Sequence, residues 1–397
     1  MDSIKLSKRF GKNIGIYFAE DHDPLAWAAF GAFTSRNNGP FESLLERVNE
    51  VSIKRIIEET YIGYGHSSIG DLVDIKMFVE GLPIWLAFEL EGFSRFRGQE
   101  SSTRYIDFAK LPLNPYYVEK GLKPWYDEKI KDYVEASQKV LQGIIDHSGL
   151  NLASPDYSSH IRAMKARTFD ITRSLIPSIA ATNMTWFGNV REIREQLQRL
   201  QHLPFVNEIV EALNEQYPQT IPNKEPRTRE PWASPPKYTG HHPTSIQSLS
   251  GTMDFGSLRD LNRHRVGLHE YNYEKSTMSF HSWYLEKLEA HDIFVKNPYT
   301  LDGEGPSYFD SHLGEGLHPP LLGQTINYTY HCDMEQARYL SVLRTKKNVH
   351  PTLRFSIINQ WKDSYLQSIM DTSPDVGPFG YILVRGNDFI SFQGKEL

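Results

Sequence analysis

Cysteine is almost absent: Cys332 is the only one in 397 residues. No intrachain disulfide can form, a disulfide-stapled fold is excluded, and nothing suggests a structural zinc cluster, so the expected location is the reducing cytoplasm. Long apolar runs are missing as well. The most apolar stretch, residues 81–93, is interrupted by Glu89 and Glu91 and falls well short of the roughly 18 residues of a membrane-spanning helix. Residues 1–10 carry Asp2, Lys5, Lys8 and Arg9 and hold no apolar core of export-signal length, so no membrane partner is expected. Positive charge is not in excess either: 43 Lys and Arg face 49 Asp and Glu, a formal net charge of -6. That balance offers no whole-chain cationic surface for nucleic acid. DNA is not expected as a partner, and any anion site must be local.

What is present is unevenly distributed. Prolines at 218, 222, 226, 231, 235, 236 and 243 deny residues 218–243 backbone donors and helical dihedrals over most of their length. They read as a linker, or as an extended strap that buries Trp232 and Tyr238, between a first part, 1–217, and a second, 244–397. Apolar periodicity predicts helices over 41–64, 125–145, 157–175 and 190–217, and again near 257–263, 282–294, 334–344 and 352–369. Residues 72–79 alternate as a strand and lead through Gly81-Leu82-Pro83 into a helix carrying Trp85, Leu86, Phe88 and Leu90. A closing pair of strands turns at Gly386-Asn387-Asp388. The expected class is mixed α/β (α+β).

Two clusters carry chemistry. In Ser94-Arg95-Phe96-Arg97-Gly98-Gln99-Glu100-Ser101-Ser102-Thr103-Arg104-Tyr105, guanidiniums, short hydroxyls and a phenol follow directly on an apolar helix. Planar, permanently charged arginines hold phosphate through paired hydrogen bonds, and hydroxyls complete the set, so the segment reads as a phosphate cradle or as a solvated polar loop. The second cluster, Arg259-Asp260-Leu261-Asn262-Arg263-His264-Arg265, places Arg259 and Arg263 on one helical face with Leu258 and Leu261 opposite. Alone it reads as an exposed basic face.

These residues resemble the flavin-dependent thymidylate synthases of the ThyX type, whose Arg-His-Arg signature continues into a Ser-x-Arg-Tyr loop. Arg95-Phe96-Arg97 and Gln99-Glu100-Ser101-Ser102-Thr103-Arg104-Tyr105 are similar to its beginning and end. Gly65-His66-Ser67-Ser68 resembles an upstream segment of the family, and Ala166-Arg167, Arg173-Ser174-Leu175-Ile176-Pro177 and Asn189-Val190-Arg191 resemble downstream ones. Phe96 stands where the signature has histidine, and the loop after Arg97 is shorter. The second part keeps Arg263-His264-Arg265 intact, with Leu343-Arg344 and His350 similar to the family's terminal element, but without a Ser-x-Arg-Tyr segment. Each half keeps what the other lacks. The expected architecture is a tandem duplication: two repeats, each a small mixed sheet with packed helices, in a chain that self-associates to a homodimer resembling the family's tetramer, with composite sites.

The resemblance implies reductive methylation of a small-molecule nucleotide substrate, dUMP or a related pyrimidine nucleotide, at C5. FAD would be the cofactor, with NADPH and methylenetetrahydrofolate as cosubstrates. It places Ser102, Arg104, Tyr105, Arg173 and Arg344 on the nucleotide, and Glu100 between nucleotide and flavin. His66, Arg95, Arg97, Asn189, Arg191, Arg263, His264 and Arg265 fall on the flavin. No nucleophile is required, since Glu100 and Ser102 only position, and no metal is expected. On its own residues, His66 equally reads as a cap for the helix ending at Gly63. The alternatives are a flavin- or nucleotide-binding pseudoenzyme, and a flavoprotein with altered one-carbon chemistry. Arg104→Ala is expected to weaken nucleotide binding and leave folding intact.

Overall fold

Four strands, β1 (Gly15–Phe18), β2 (Asp74–Pro83), β3 (Arg97–Glu100) and β4 (Ala181–Asn189), form an antiparallel sheet in the order β1-β2-β4-β3. The computed structural model describes residues 5–20, 23–34, 40–46, 49–63, 67–93, 95–104, 106–148, 157–217, 246–272, 280–293, 321–346, 349–372, 383–385 and 388–390. The proline-rich stretch 218–243 and the turn residues Gly386 and Asn387 lie outside the described residues, as do His66 and Tyr105. Contacts divide the chain into two compact units that interleave along the sequence. The first comprises Met1–Ser101, Asn114–Tyr116 and Ala181–Lys237, and the second Ser102–Leu113, Tyr117–Ala180 and Tyr238–Leu397.

In the first unit, alternation along β2 buries Ile75, Met77 and Val79 and leaves Asp74 and Glu80 exposed, the period-2 pattern of a sheet with one apolar face. The strand bulges between Val79 and Leu82, where Gly81 takes φ 74°, and Pro83 then caps the helix Ile84–Glu91. Strand β4 packs Met184 and Trp186 inward. It runs straight into the helix Val190–Arg199, whose N-cap Asn189 accepts from the Glu192 amide at 2.8 Å. Val190, Ile193 and Leu197 form the buried stripe of that helix.

The second unit holds β5 (Gln247–Asp254), β6 (Leu268–Asn272) and β7 (Thr325–Cys332), antiparallel in the order β5-β7-β6, and a hairpin of Leu383–Arg385 with Asp388–Ile390. Its helices include Lys123–Ser148, Tyr157–Thr172, Phe255–Asn262, Ser282–Glu289, Met334–Leu343 and Pro351–Trp361. The connection repeats that of β2, β3 and β4. A strand runs into a short buried helix, an Arg-x-Arg segment follows, an edge strand comes next, and the last strand returns between the two before entering a side-chain-capped helix. Asn189 and Asp333 are those caps, each eight positions after the first residue of its strand, Ala181 or Thr325.

The mixed α/β class is the one observed, and every pairing among the described strands is antiparallel. Three expected helices are broken. The stretch 190–217 divides into Val190–Arg199 and Val206–Gln216 around Pro204, with Phe205 at φ 70°. Residues 352–369 end as an α-helix at Trp361 and resume as a 3-10 turn, Tyr365–Ile369. The stretch 41–64 becomes Phe41–Leu45, Glu50–Arg55 and a π-helical Ile56–Gly63. Among the described residues no helix is long and apolar enough to cross a membrane.

Candidate functional site

The helix Phe255–Asn262 of the second unit is buried nearly all round: Phe255, Leu258 and Leu261 have no exposure, and Arg259 has 3 %. The reading of Arg259 and Arg263 as an exposed basic face is therefore corrected. Periodicity located the apolar side of the helix but could not reveal that its polar side also faces protein. That side looks into a cavity of about 200 Å³, several times the roughly 30 Å³ of a liquid water. Five guanidiniums, Arg104, Arg173, Arg259, Arg263 and Arg344, line it with one carboxylate, Asp260, and with Ser102, Thr103 and His350. The lining draws on segments from both sides of the proline-rich stretch.

Arg104 and Arg173 are each held by a definable set of partners. Arg104 lays its fork on Asp170, Nε to Oδ1 at 2.6 Å and Nη2 to Oδ2 at 2.7 Å, and the Asp170 side chain has no exposure, giving a bidentate pair fixed from behind. Arg173 sits on the 3-10 turn that ends the Tyr157–Thr172 helix and is 1 % exposed. Its Nε donates to the Tyr284 hydroxyl at 3.2 Å, its Nη2 to Ser257 Oγ at 3.4 Å, and both terminal nitrogens reach Asp260 Oδ2 at 3.5 Å. Tyr284 in turn donates to Asp254 Oδ1 at 2.9 Å, the same oxygen that caps the helix by accepting from the Ser257 amide at 2.7 Å. Gly256 makes room for this: a Cβ there would lie 3.3 Å from Arg173 Nε and 3.2 Å from Asp254 Oδ1.

The histidines act as neutral acceptors. His350 takes the Ser257 hydroxyl on Nδ1 at 3.0 Å and gives its Nε2 proton to the Asp170 carbonyl at 3.2 Å. Burial, with Arg173 and Arg104 nearby, holds its pKa well below the usual value. His264 accepts on Nε2 from Arg344 Nε at 2.6 Å. Burial first, then Arg344, hold it down at about 3. Burial acts to raise the Asp260 pKa, but Arg173, Arg263, Arg344 and Arg104 outweigh it and leave the carboxyl at about 2. Asp260 is therefore ionised at neutral pH, and the lining still carries more positive than negative charge. A tetrahedral oxyanion presented to this wall would meet a surplus of guanidinium charge and the hydroxyls of Ser102 and Thr103.

Of the residues singled out by sequence, the cavity gathers Ser102, Arg104, Arg173, Arg263 and Arg344. His264 stands behind Arg344, and Arg265 Nη1 turns back to the Arg263 carbonyl at 3.4 Å. Those of the first unit are engaged in its own structure. Arg95 pairs with Glu192, and Arg191 pairs with Asp71 at 2.9 Å and Glu195 at 3.0 Å. Asn189 caps a helix. Glu100 is buried at the end of β3 opposite Met184, and Arg97 begins that strand, exposed. Phe96 is buried against Trp186, ring centroids 5.5 Å apart. Sequence reasoning missed Asp170, Asp254 and Tyr284. Asp254 could have been found, since an aspartate three positions before Ser257 at a strand-to-helix junction is a capping pattern. Nothing local announces the other two.

The profile of the family described as "Thymidylate synthase complementing protein" matches residues 18–216. A solved structure, described as a UMP/dUMP methylase PolB from Streptomyces cacaoi bound with 5-Br dUMP, is 11 % identical, covering 52 % of this chain and 90 % of that one with a TM-score of 0.32. No curated protein matches.

Proposed function

The chain belongs to the thymidylate synthase complementing protein family, and from that premise we propose that the arginine-lined cavity binds the phosphate of a pyrimidine nucleotide, dUMP or a close relative, for reductive methylation at C5. The observation that carries the reading is the gathering of five guanidiniums around one carboxylate in a cavity with hydroxyls at its wall. Arg104 and Arg173 are pre-oriented by buried partners, so little side-chain entropy is lost when the phosphate arrives. Ser102 and Thr103 complete its acceptor lone pairs. By its place in the Ser-x-Arg-Tyr segment, Tyr105 is proposed for the nucleotide as well.

The full reaction takes FAD as hydride carrier, methylenetetrahydrofolate as carbon donor and NADPH as reductant, in a homodimer. The described residues fit the phosphate end of such chemistry. They do not fit the ring: Arg95, Asn189 and Arg191 are taken up by ion pairs and a helix cap, and Phe96 offers no polar edge. The chain's own part is therefore derived for the nucleotide alone. Incubation with dUMP and the three cofactors, followed by mass spectrometry, tests the reading; a product heavier by one methylene supports it. The engaged first-unit residues and Phe96 favour a second reading, in which the chain binds nucleotide without turnover. Saturable dUMP binding with no product would select that one.

A further inference from the structure

We infer that only the second of two corresponding modules keeps a phosphate pocket, the first having been filled by its own side chains, so that each polypeptide binds one nucleotide rather than two. The identity of the ligand rests on the reading above; the count does not.

The modules correspond element by element. The order β2, helix Ile84–Glu91, Arg95-Phe96-Arg97, β3, β4, helix Val190–Arg199 is repeated as β5, helix Phe255–Asn262, Arg263-His264-Arg265, β6, β7, helix Met334–Leu343, with the last strand central in both sheets. Pro177 and Leu321, each four positions before the first residue of its central strand, pair with one another in an isolated antiparallel bridge.

With the caps Pro83 and Asp254 set equivalent, Trp85, Leu86 and Phe88 occupy the places of Gly256, Ser257 and Arg259. In the second module each of these places serves the cavity, as space for a guanidinium, as a hydroxyl on Arg173 and as a lining cation. In the first module all three are buried apolar side chains. The other end of the pocket is altered in the same direction. Leu200 is the C-cap residue where the second module has Arg344, each eleven positions after Asn189 or Asp333. Phe96, packed on Trp186, replaces the His264 that holds Arg344. Arg95, which matches Arg263 by its Arg-x-Arg motif although it lies three positions further from its helix cap, is paired with Glu192. Burying a phosphate dianion against Trp85, Leu86 and Phe88, with no cation among them, costs far more than binding could return.

Equilibrium dialysis of the intact protein against dUMP, together with crystals soaked in tungstate as a phosphate probe, gives the count. One dUMP per chain and one tungstate per chain, among Arg104, Arg173 and Arg259, is the expected result. Two of either per chain, or tungstate beside Trp85 and Phe88, overturns the inference and leaves the nucleotide reading standing. No dUMP bound but one tungstate in the second module's cavity overturns the nucleotide reading and supports the single pocket. Neither ligand bound overturns both.

Discussion

Arg104 and Asp170 illustrate how binding and folding are joined at single residues. Arg104→Ala removes a charge-assisted donor and should weaken nucleotide binding by about 1.5 to 3 kcal/mol. The expectation that folding stays intact needs correcting, because the substitution strands a fully buried carboxylate; about 3 to 5 kcal/mol of stability should be lost with it. The double variant Arg104→Gln, Asp170→Asn should recover most of that stability in urea unfolding while binding stays weak. A double variant that regains affinity would place the phosphate elsewhere. Gly256→Ala offers a cleaner separation. Alanine's advantage over glycine in a helix, about 1 kcal/mol, offsets part of the cost of pressing a methyl on Arg173 and Asp254, so stability should change little while nucleotide affinity falls. Unchanged affinity would mean that Arg173 does not need its present position. Arg104, Arg173, Arg263 and Arg344 were singled out in the sequence by their resemblance to the family's motifs, and one cavity gathers them. Asp170 and Tyr284 were not, since their roles exist only once remote segments meet Arg104 and Arg173.

At the scale of elements, a helix cap and a ligand contact can look alike in sequence. Asn189 reads as a flavin-lining residue by its motif, and in the structure its side chain satisfies the first turn of a helix. Asn189→Ala should therefore cost about 1 kcal/mol of stability and leave dUMP affinity unchanged; a loss of affinity at full stability would assign it to a ligand instead. The long helices were legible because their apolar stripes recur at helical spacing, as Val190, Ile193 and Leu197 do. Strand β3 was not. Arg97-Gly98-Gln99-Glu100 has no strand-forming side chains, and it becomes a strand because β4 offers an edge and Gly98 lets the Thr185 carbonyl approach where a Cβ would collide. Strands β5 and β7 carry Ser, Thr, Asn and Gly among their apolar residues, which blurs the alternation that identified β2.

The whole molecule should be sensitive to acid. His264 is held at about 3 and His269 at about 4, both chiefly by burial, and His350 lies well below its usual value. As pH falls through about 6.5, unfolded histidines take up protons that the folded ones refuse, so the unfolded state gains protons and the fold loses stability, by about 1.4 kcal/mol per pH unit for each such histidine. Asp260, ionised down to about 2 in the fold, adds a further loss below its usual range. Urea midpoints should drop steeply between pH 6.5 and 4, and a flat profile there would show these histidines to be protonated in the fold. The mixed class was legible from the sequence; the interleaving of the units was not, because residues 102–113 and 117–180 group with segments that follow the prolines. The central claim is that the cavity recognises a phosphate. Calorimetric titration with dUMP and with 2′-deoxyuridine tests it most directly: dUMP should bind roughly a hundredfold more tightly, the size of one strong charge-assisted contact, and equal affinity for the two would contradict the account.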